Sequence, residues 1–276
     1  THTHTHTHTH THTHTNTHPA APAAPLLFED NFDGTTLNTS KWNVLDHQTH
    51  CCFAGKHELE LYVPEALAVA GGVLTITTRW DPTPAIWDNT TTVFNYTSGW
   101  VDTRHKFSSL YGTFAANMSL PPMRAPGIWP AFWTLPESGV CWPTGGEIDV
   151  FEFVGNPLGL DVVFGSYHWS NPGQCSDDQA PIPGMAYRPE GAEEDWQTEF
   201  HVYEVQWTPN TIDYYVDGVW YFSRTKEQVT LPPAMFLIIN TAVSQILFSP
   251  KPGNHVYAAG VQTQVDWVRA YAQPAQ

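Results

Sequence analysis

The sequence predicts an all-β domain, on three observations. Short segments rich in β-branched and aromatic residues recur along the chain, separated by Gly, Pro, Asn and Asp clusters that favour turns. Apolar residues spaced with the period of a helix are scarce. The chain has 276 residues, and one large β-domain reaches about 250 residues undivided. We therefore expect one β-structured body and no second domain.

The N-terminal region is expected to differ from this body. Residues 1–18 alternate Thr and His almost strictly, and a Pro/Ala run follows to residue 25. Neither face of such a segment is apolar, so no burial would offset the entropy of ordering it. We predict a disordered arm and linker over residues 1–26 and a folded domain over residues 27–273. Metal chelation by the histidines, O-glycosylation of the threonines, an expression tag and an inert spacer all stay open.

Within the folded domain we expect a succession of strands joined by turns. An initial strand and turn should cover residues 28–42, where Asp33-Gly34 is a turn signal. Further strands are predicted at residues 58–63, 73–78, 99–101, 111–120, 131–135, 147–154, 162–169, 201–208, 211–216, 219–222, 235–243 and 265–271. Loops are predicted at residues 80–96, 121–126 and 171–196, the last a candidate cleft wall because long loops are usually functional.

Composition limits the classes of partner. The formal net charge is −16, which argues against nucleic acid and anionic membranes because both require basic patches. No apolar run approaches the ~20 residues of a membrane span, and a chain that starts at Thr1 fits a mature protein whose signal peptide has been removed. Aromatic residues make up 13%, with 12 Trp, more than a core alone requires. Trp and Tyr rings stack on sugars, although a β-sandwich also uses them inside.

Three carboxylates stand in one predicted strand. Glu147, Asp149 and Glu152 are interleaved with Ile148, Val150, Phe151 and Phe153, which favour a half-buried pleated surface. In a regular strand Glu147 and Asp149 would share one face, and Glu152 would point into the core. A buried unpaired carboxylate is costly. We therefore predict a one-residue β-bulge near residues 150–151, which turns all three carboxylates toward one groove.

Carboxyl groups arranged in this way can cleave a glycosidic bond. In a retaining mechanism one carboxylate attacks the anomeric carbon and another carboxyl group protonates the leaving oxygen, and the two stand about 5–5.5 Å apart. A neighbouring negative charge raises the proton affinity of the acid and keeps it protonated for the first step. An exposed acidic strand face that only aids solubility is the alternative reading.

The segment from Gly145 to Gly155 resembles the active-site strand of family 16 glycoside hydrolases, in the bulged form of laminarinase-like β-1,3-glucanases. Further landmarks of that family follow in family order over residues 27–272, namely FEDNFDG at 28–34, ELELY at 58–62, SG at 98–99, YG at 111–112, GIWPAFWTL at 127–135, VQW at 205–207, YVDG at 215–218 and VDWVRAY at 265–271. The resemblance implies a two-sheet β-jelly-roll sandwich with a concave substrate cleft.

The resemblance also implies roles for particular residues. Glu147 would be the nucleophile, Glu152 the general acid/base, and Asp149 a hydrogen-bonding neighbour that sets the charge of Glu147. The substrate-binding residues it implies in the cleft are Trp129, Trp133, His168 and Trp207. A core position for either of Trp129 and Trp133, and a structural role for His168 or Trp207, stay open.

Three departures from the family pattern bear on substrate preference. His57 stands where Asn usually precedes Glu-Leu, so an imidazole replaces an amide donor. Asn240 begins a segment in which Ser244-Gln245 replaces a Gly-Gly pair, and Trp100 stands where an arginine is common. We expect His57, Asn240 and Trp100 to contact substrate. Many members of the family bind one structural calcium ion, and Glu29, Gly72 and Asp266 stand at the matching positions. Catalysis itself should require no cofactor.

Cysteines and sequons indicate an extracellular protein. Cys51, Cys52, Cys141 and Cys175 lack the paired spacing of a zinc site, and a Cys141–Cys175 bridge would pin the long loop beside the catalytic strand. Vicinal cysteines seldom bond to each other, so Cys51 and Cys52 are expected to pair elsewhere. Sequons at Asn38, Asn89, Asn95 and Asn117 suit a secreted chain.

The function expected from the sequence is a secreted or cell-wall-associated, monomeric endo-hydrolase of β-1,3-glucan acting with retention. A transglycosylase or a mixed-linkage β-1,3-1,4-glucanase would use the same residues. A non-catalytic glucan-binding protein or cell-surface module is the alternative of a different class, and the presence of both Glu147 and Glu152 argues against it.

Overall fold

The computed structural model describes residues 24–47, 58–87, 89–156, 161–170, 175, 184–225, 233–251 and 255–273. The predictions for residues 1–18, for His57 and for Cys51 and Cys52 lie outside these ranges. The strands are β1 Leu26–Asp30, β2 Asn43–Val44, β3 Glu60–Tyr62, β4 Leu67–Ala70, β5 Val73–Trp87, β6 Thr90–Ser98, β7 Trp100–Asp102, β8 Gly112–Ser119, β9 Ile128–Pro136, β10 Glu147–Phe153, β11 Val163–His168, β12 Met185–Tyr187, β13 His201–Trp207, β14 Thr211–Val216, β15 Val219–Thr225, β16 Met235–Val243 and β17 Val261–Tyr271.

These strands form two sheets that pack face to face. One sheet has ten strands in the order β15-β14-β13-β8-β17-β5-β6-β3, with β1 on β17 and β4 on β5. The other has seven, in the order β12-β11-β10-β9-β16-β7-β2. Both orders combine consecutive hairpin neighbours with neighbours that lie far apart in sequence, such as β9-β16 and β8-β17, which is the connectivity of a jelly roll. The all-β sandwich expected from the sequence is thus confirmed.

The core lies between the inner faces of the two sheets. Phe151 of β10 packs against Tyr203 of β13 with ring centroids 4.1 Å apart, and both side chains are fully buried. Tyr214 of β14 reaches across and donates a hydrogen bond to the backbone oxygen of Ser166 in β11 (2.6 Å). Large apolar side chains therefore fix the seven-stranded sheet at its central strands, where the three carboxylates stand.

Most predicted strands are present with shifted ends. The strand predicted at residues 235–243 has those bounds, and those predicted at 111–120, 162–169 and 201–208 differ by one residue at one or both ends. Helical structure among the described residues is limited to three 3₁₀ turns, Pro64–Ala66, Trp196–Thr198 and His255–Tyr257. In these described ranges the structure has no helix long and apolar enough to cross a membrane.

The loop predicted at residues 80–96 is wrong. Most of this segment belongs to β5 and β6, which pair antiparallel from Arg79↔Thr97 to Trp87↔Thr90. The threonines and the valine of this segment are β-branched, and they favour an extended pair of strands. Pro84 pairs with Val93 beyond the part of β5 that contacts β17, at residues 74–78, so its missing N–H interrupts no central ladder.

The long loop predicted at residues 171–196 is also wrong in part. Met185–Tyr187 forms β12, which pairs with Val163–Gly165 of β11 and extends the seven-stranded sheet by one strand. β12 has only three residues and is flanked by Gly and Pro residues, so its sequence does not show the alternation of a strand. Residues 171–174 and 176–183 lie outside the described ranges.

Candidate active site

A β-bulge in β10 places the three carboxylates on one face. Pairing with β11 shifts register between Asp149 and Glu152, and pairing with β9 shifts between Asp149 and Phe151. Val150 and Phe151 are consecutive, yet both are buried in the core at 1% and 0% exposure. The predicted bulge is therefore present, and it turns Glu152 away from the core to the side of Glu147 and Asp149.

The register of the neighbouring strands sets what surrounds each carboxylate. Glu147 stands opposite His168 on β11. Asp149 lies between Ser166 on β11 and Trp133 on β9. Glu152 stands opposite Ala131, and Ala131 in turn pairs with Asn240 on β16. The small Ala131 side chain separates Glu152 from Asn240, so this part of the sheet face forms a depression flanked by tryptophans.

Glu152 is held by donors on both sides. Trp129 Nε1 donates a hydrogen bond of 2.9 Å to Glu152 Oε1. Ser166 also hydrogen-bonds to the Glu152 carboxylate. These contacts come from β9 and β11, the two strands that flank β10, so they fix the direction in which the carboxyl group points.

Glu147 and Asp149 share His168. The His168 Nε2 atom lies 3.1 Å from Asp149 Oδ2 and 4.0 Å from Glu147 Oε1. One side-chain atom of each of the three residues lies within 4.8 Å of the others. Asp149 is nearly fully buried, whereas the Glu147 and His168 side chains are 14% and 28% exposed. The imidazole thus lies beside the buried Asp149 carboxyl group, and Glu147 is accessible from the cleft.

Burial and crowding favour protonated carboxyl groups. Burial raises the pKa of Asp149 to about 8. Burial and then the Asp149 charge raise the pKa of Glu152 to about 8, although His168, Trp129 and Ser166 act in the opposite direction. Burial and the charges of Asp149 and Glu152 raise the pKa of Glu147 well above its usual range, against the effects of His168 and Trp142. The cluster therefore retains protons at neutral pH, and a retained proton is what a general acid needs.

Trp129 and Trp133 both lie on this face and are partly exposed. Trp133 Nε1 donates to Asn240 Oδ1 (2.8 Å), and Asn240 Nδ2 donates to the hydroxyl of Tyr62 (2.8 Å). Asn240 is 5% exposed, so both ends of its amide serve to orient its neighbours beneath the surface. The structure thus places Asn240 behind Trp133 rather than at the cleft surface.

The expectation that Trp100 contacts substrate is wrong. Its side chain is 5% exposed and packs edge-on against Trp133, with ring centroids 5.3 Å apart. On its other side it meets the buried ring of Tyr62, at 5.5 Å. Trp100 therefore lies under Trp133 and supports it.

The assignment of Trp207 to the cleft is wrong as well. Trp207 ends β13 in the ten-stranded sheet and is 1% exposed. Its ring packs against Tyr111 at 4.9 Å and Phe114 at 6.2 Å. The residue belongs to the core between the sheets, because its alternation with Val205 and Tyr203 directs all three side chains inward.

Trp142, like Ser166, lies at the site although the sequence did not indicate it. It lies in the loop between β9 and β10, and its Nε1 donates to Glu147 Oε2 (3.0 Å). The indole ring is 40% exposed and stands 6.0 Å from the imidazole of His168. The alternation of strand residues does not extend into this loop. The only feature of the sequence that could have indicated Trp142 is its position five residues before Glu147.

A disulfide bond joins Cys141 and Cys175, as expected from the sequence. It links the loop that carries Trp142 to the chain beyond β11, 34 residues later. Thr144 and Ser170 make a second link between the same segments, with their hydroxyl oxygens 3.1 Å apart.

The residues expected at a calcium site fit that ion poorly. The backbone oxygen of Glu29 accepts a hydrogen bond from Lys41 Nζ (2.5 Å), and its carboxylate accepts one from Arg269 Nε (2.9 Å). Asp266 Oδ2 accepts a hydrogen bond from Asn117 Nδ2 (2.9 Å). Gly72 has φ +81° and brings no side chain. A calcium ion would compete with the Lys41 ammonium group at the backbone oxygen of Glu29 or with the Arg269 guanidinium group at its carboxylate, so no role is derived for it.

Comparisons with known proteins agree with this geometry. The family model described as Glycosyl hydrolases family 16 matches residues 38–269. The chain is 34% identical to a Beta-glucanase of Rhodothermus marinus, over 91% of this chain and 86% of that protein. It is 32% identical to Glucan endo-1,3-beta-glucosidase A1 of Niallia circulans, over 92% of this chain but 39% of that protein. The solved structure of the laminarinase from Rhodothermus marinus superposes with a TM-score of 0.71 at 31% identity, covering 92% of this chain and 99% of that one.

Proposed function

The chain belongs to the glycosyl hydrolases of family 16, and we propose that it is an endo-acting hydrolase of β-1,3-glucan that retains the anomeric configuration. The observation that supports this function best is the bulge in β10, which gathers Glu147, Asp149 and Glu152 on one face of the sheet. The names of the relatives, a glucan endo-1,3-beta-glucosidase and a laminarinase, support β-1,3-glucan as the substrate. Glycosidases of this family need no cofactor for catalysis.

In the proposed first step Glu147 attacks the anomeric carbon while Glu152 gives its proton to the glycosidic oxygen. The bond from the anomeric carbon to that oxygen breaks, a bond to Glu147 forms, and the leaving sugar departs with a new hydroxyl group. The raised pKa of Glu152 keeps the proton available at neutral pH. Trp142 and His168 favour the ionised form of Glu147 that the attack requires.

In the second step Glu152, now ionised, takes a proton from water. The oxygen of that water attacks the anomeric carbon and releases Glu147 as a carboxylate. Two displacements restore the β-configuration. Asp149 lies 3.1 Å from His168 Nε2, and negative charge on Asp149 raises the pKa of Glu152 and so favours return of the proton to Glu152.

Trp129 and Trp133 are proposed to bind sugar rings beside the reacting carboxylates. Trp129 touches Glu152 through its N–H, and Trp133 is braced from behind by Trp100 and Asn240. Partly exposed indole rings offer apolar faces to pyranose rings at little cost in side-chain entropy. His168, on β11, is proposed to face the sugar rings that bind beside these carboxylates.

A parallel assay on four polysaccharides tests the function. We expect reducing ends to accumulate fastest on laminarin, more slowly on barley β-glucan, and at background level on agarose and carrageenan. Products sampled early should be a ladder of oligosaccharides with β-anomeric reducing ends by NMR. A preference for barley glucan would indicate a mixed-linkage enzyme, and longer products without net reducing ends would indicate a transglycosylase. Binding of laminarin without any products would contradict an enzymatic function.

The domain boundaries, the oligomeric state and the secretion of the protein are part of the same proposal. Residues 27–273 would form the catalytic domain and residues 1–26 an appended arm, and the enzyme would act as a secreted monomer on polysaccharide. The Cys141–Cys175 disulfide supports an oxidising compartment. Asn38, Asn89 and Asn95 are exposed, as glycosylation requires. The amide nitrogen of Asn117 is bonded to Asp266, which argues against modification at that sequon.

A further inference from the structure

We propose that Trp142 is a positioning residue for the Glu147 carboxylate and that the Cys141–Cys175 disulfide holds Trp142 in place, so that turnover depends on the redox state of this bridge. The inference rests on the proposed role of Glu147 as nucleophile. It goes beyond the proposed function in giving Trp142 a positioning role, in making the disulfide part of that role, and in making turnover sensitive to reduction.

The contact itself is direct. Trp142 Nε1 lies 3.0 Å from Glu147 Oε2, and indole nitrogen is a donor that accepts nothing in return. The opposite carboxylate oxygen, Oε1, faces His168 Nε2 at 4.0 Å. Trp142 therefore donates a hydrogen bond to one oxygen of Glu147, while the imidazole lies near the other oxygen beyond hydrogen-bond distance. A hydrogen bond to a charged acceptor is among the stronger ones, so losing it would affect both the orientation and the charge of Glu147.

The position of Trp142 depends on its loop, because the indole itself is poorly anchored. Its ring is 40% exposed, whereas Trp129 and Trp133 lie on a strand between two hydrogen-bonded neighbours. Within the loop, Thr144 N donates to the oxygen of Cys141 and Gly146 N donates to the oxygen of Pro143. These bonds shape the turn but do not attach it to the rest of the site.

Two cross-links make that attachment on the residues adjoining Trp142. Cys141 is bonded to Cys175, and the Thr144 hydroxyl meets the Ser170 hydroxyl at 3.1 Å. Both partners follow β11, the strand that carries His168. The disulfide thus couples the loop of Trp142, which donates to Glu147, to the segment that follows the strand of His168. Both cysteines are exposed, so a reductant can reach the bridge.

The charges around Glu147 give the contact a measurable signature. Asp149 and Glu152 on β10 oppose ionisation of Glu147, whereas His168 on β11 and Trp142 in the loop favour it. Removing the indole N–H therefore raises the pKa of Glu147 further. A nucleophile must be ionised, so the acidic limb of the kcat/KM profile should move to higher pH. The basic limb, which follows the protonated acid, should stay in place.

Trp142→Phe is the first test, because it keeps an aromatic ring and deletes the N–H. We expect the acidic limb on laminarin to rise by about one pH unit, the effect of losing one hydrogen bond to a charged group. Trp220→Phe is the matched control. That indole is 57% exposed and donates to Ser223 on the ten-stranded sheet, so its profile should equal that of the wild type.

A double-mutant cycle tests the disulfide. We expect Cys141→Ser/Cys175→Ser, and the wild-type enzyme treated with dithiothreitol, to show the same shift of the acidic limb together with a lower kcat. In the Trp142→Phe background the serine replacements should add nothing to the shift or to the loss of kcat. A merely structural bridge would instead lower the melting temperature in both backgrounds and reduce kcat independently of Trp142.

The outcomes separate this inference from the proposed function. If Glu147→Gln keeps activity, the proposed function fails. If Glu147→Gln is inactive but Trp142→Phe leaves the acidic limb unmoved, Trp142 does not position Glu147. If Trp142→Phe moves the limb and the reduced enzyme does not, the bridge plays no part. Activities are to be compared well below the melting temperature of the least stable variant.

Discussion

The indole nitrogen of Trp129 donates a hydrogen bond of 2.9 Å to Oε1 of Glu152 across neighbouring strands of the seven-stranded sheet. A cleft tryptophan and the proposed proton donor are thereby coupled. The N–H favours the ionised form of Glu152, in opposition to burial and to the charge of Asp149. The hydrogen bond therefore links a residue proposed to bind sugar to the residue proposed to transfer the proton.

Trp129→Phe should shift the basic limb of the kcat/KM profile to higher pH. Loss of the N–H raises the pKa of Glu152 above its value of about 8, so the acid stays protonated to higher pH. Trp133→Phe is the control, because Trp133 donates to Asn240 and not to a carboxylate. Equal basic limbs in the two variants would show that the Trp129 contact does not tune Glu152.

Glu152→Ala should lower the rate on laminarin by ~10²- to 10⁴-fold, the usual contribution of a general acid. The loss should be much smaller for glycosylation by a dinitrophenyl β-glucan oligosaccharide, since that leaving group departs without a proton. Burst kinetics of dinitrophenolate release measure this step. An equal loss of rate on both substrates would show that Glu152 is not the general acid.

Asp149→Asn should stabilise the fold at pH 8 more than at pH 4. Burial raises the pKa of Asp149 to about 8, from about 3.9 in an unfolded chain. The folded state then binds the proton more tightly, so this group stabilises the fold below about pH 4, and that stability is lost as pH rises toward 8. An asparagine has no charge to bury. Thermal unfolding at both pH values measures the difference, with the exposed Asp33→Asn as control.

Trp207→Ala should destabilise the protein by about 3–5 kcal/mol, as expected for a large aromatic side chain removed from a core. Trp220→Ala, at an exposed tryptophan, should change stability by less than about 0.5 kcal/mol. Urea unfolding measures both. Below the unfolding transition the KM for laminarin should be unchanged in Trp207→Ala. A large increase in KM with little loss of stability would instead show that Trp207 contacts the substrate.

The sequence predicts local structure best where burial and strand alternation conflict. In a regularly alternating strand the Glu152 side chain would point into the core. The cost of burying that carboxylate alone predicted the bulge in β10. Trp129 and Trp133 lie four residues apart, a spacing that puts both side chains on one face of a strand. Trp207 alternates in the same way, but alternation does not say which face of which sheet is buried.

What could not be predicted depends on chain segments meeting in space. The bond from Trp142 to Glu147 crosses from a loop to a strand, and its geometry depends on the turn between Cys141 and Gly146. The place of Asn240 behind Trp133 required the register of β9 with β16. The pairing of β5 with β6 turned a Thr- and Pro-rich segment into strands, an override of local composition by tertiary structure.

The most direct test of the central claim is the stereochemistry of azide rescue at Glu147. Glu147→Gln should be inactive on laminarin yet folded and able to bind it, since the substitution replaces one atom. In Glu147→Ala, azide should enter the space left by the carboxylate and attack an activated β-glucan oligosaccharide from the nucleophile's side, giving an α-glycosyl azide. A β-glycosyl azide, or wild-type turnover in Glu147→Gln, would contradict the assignment of Glu147 as the nucleophile.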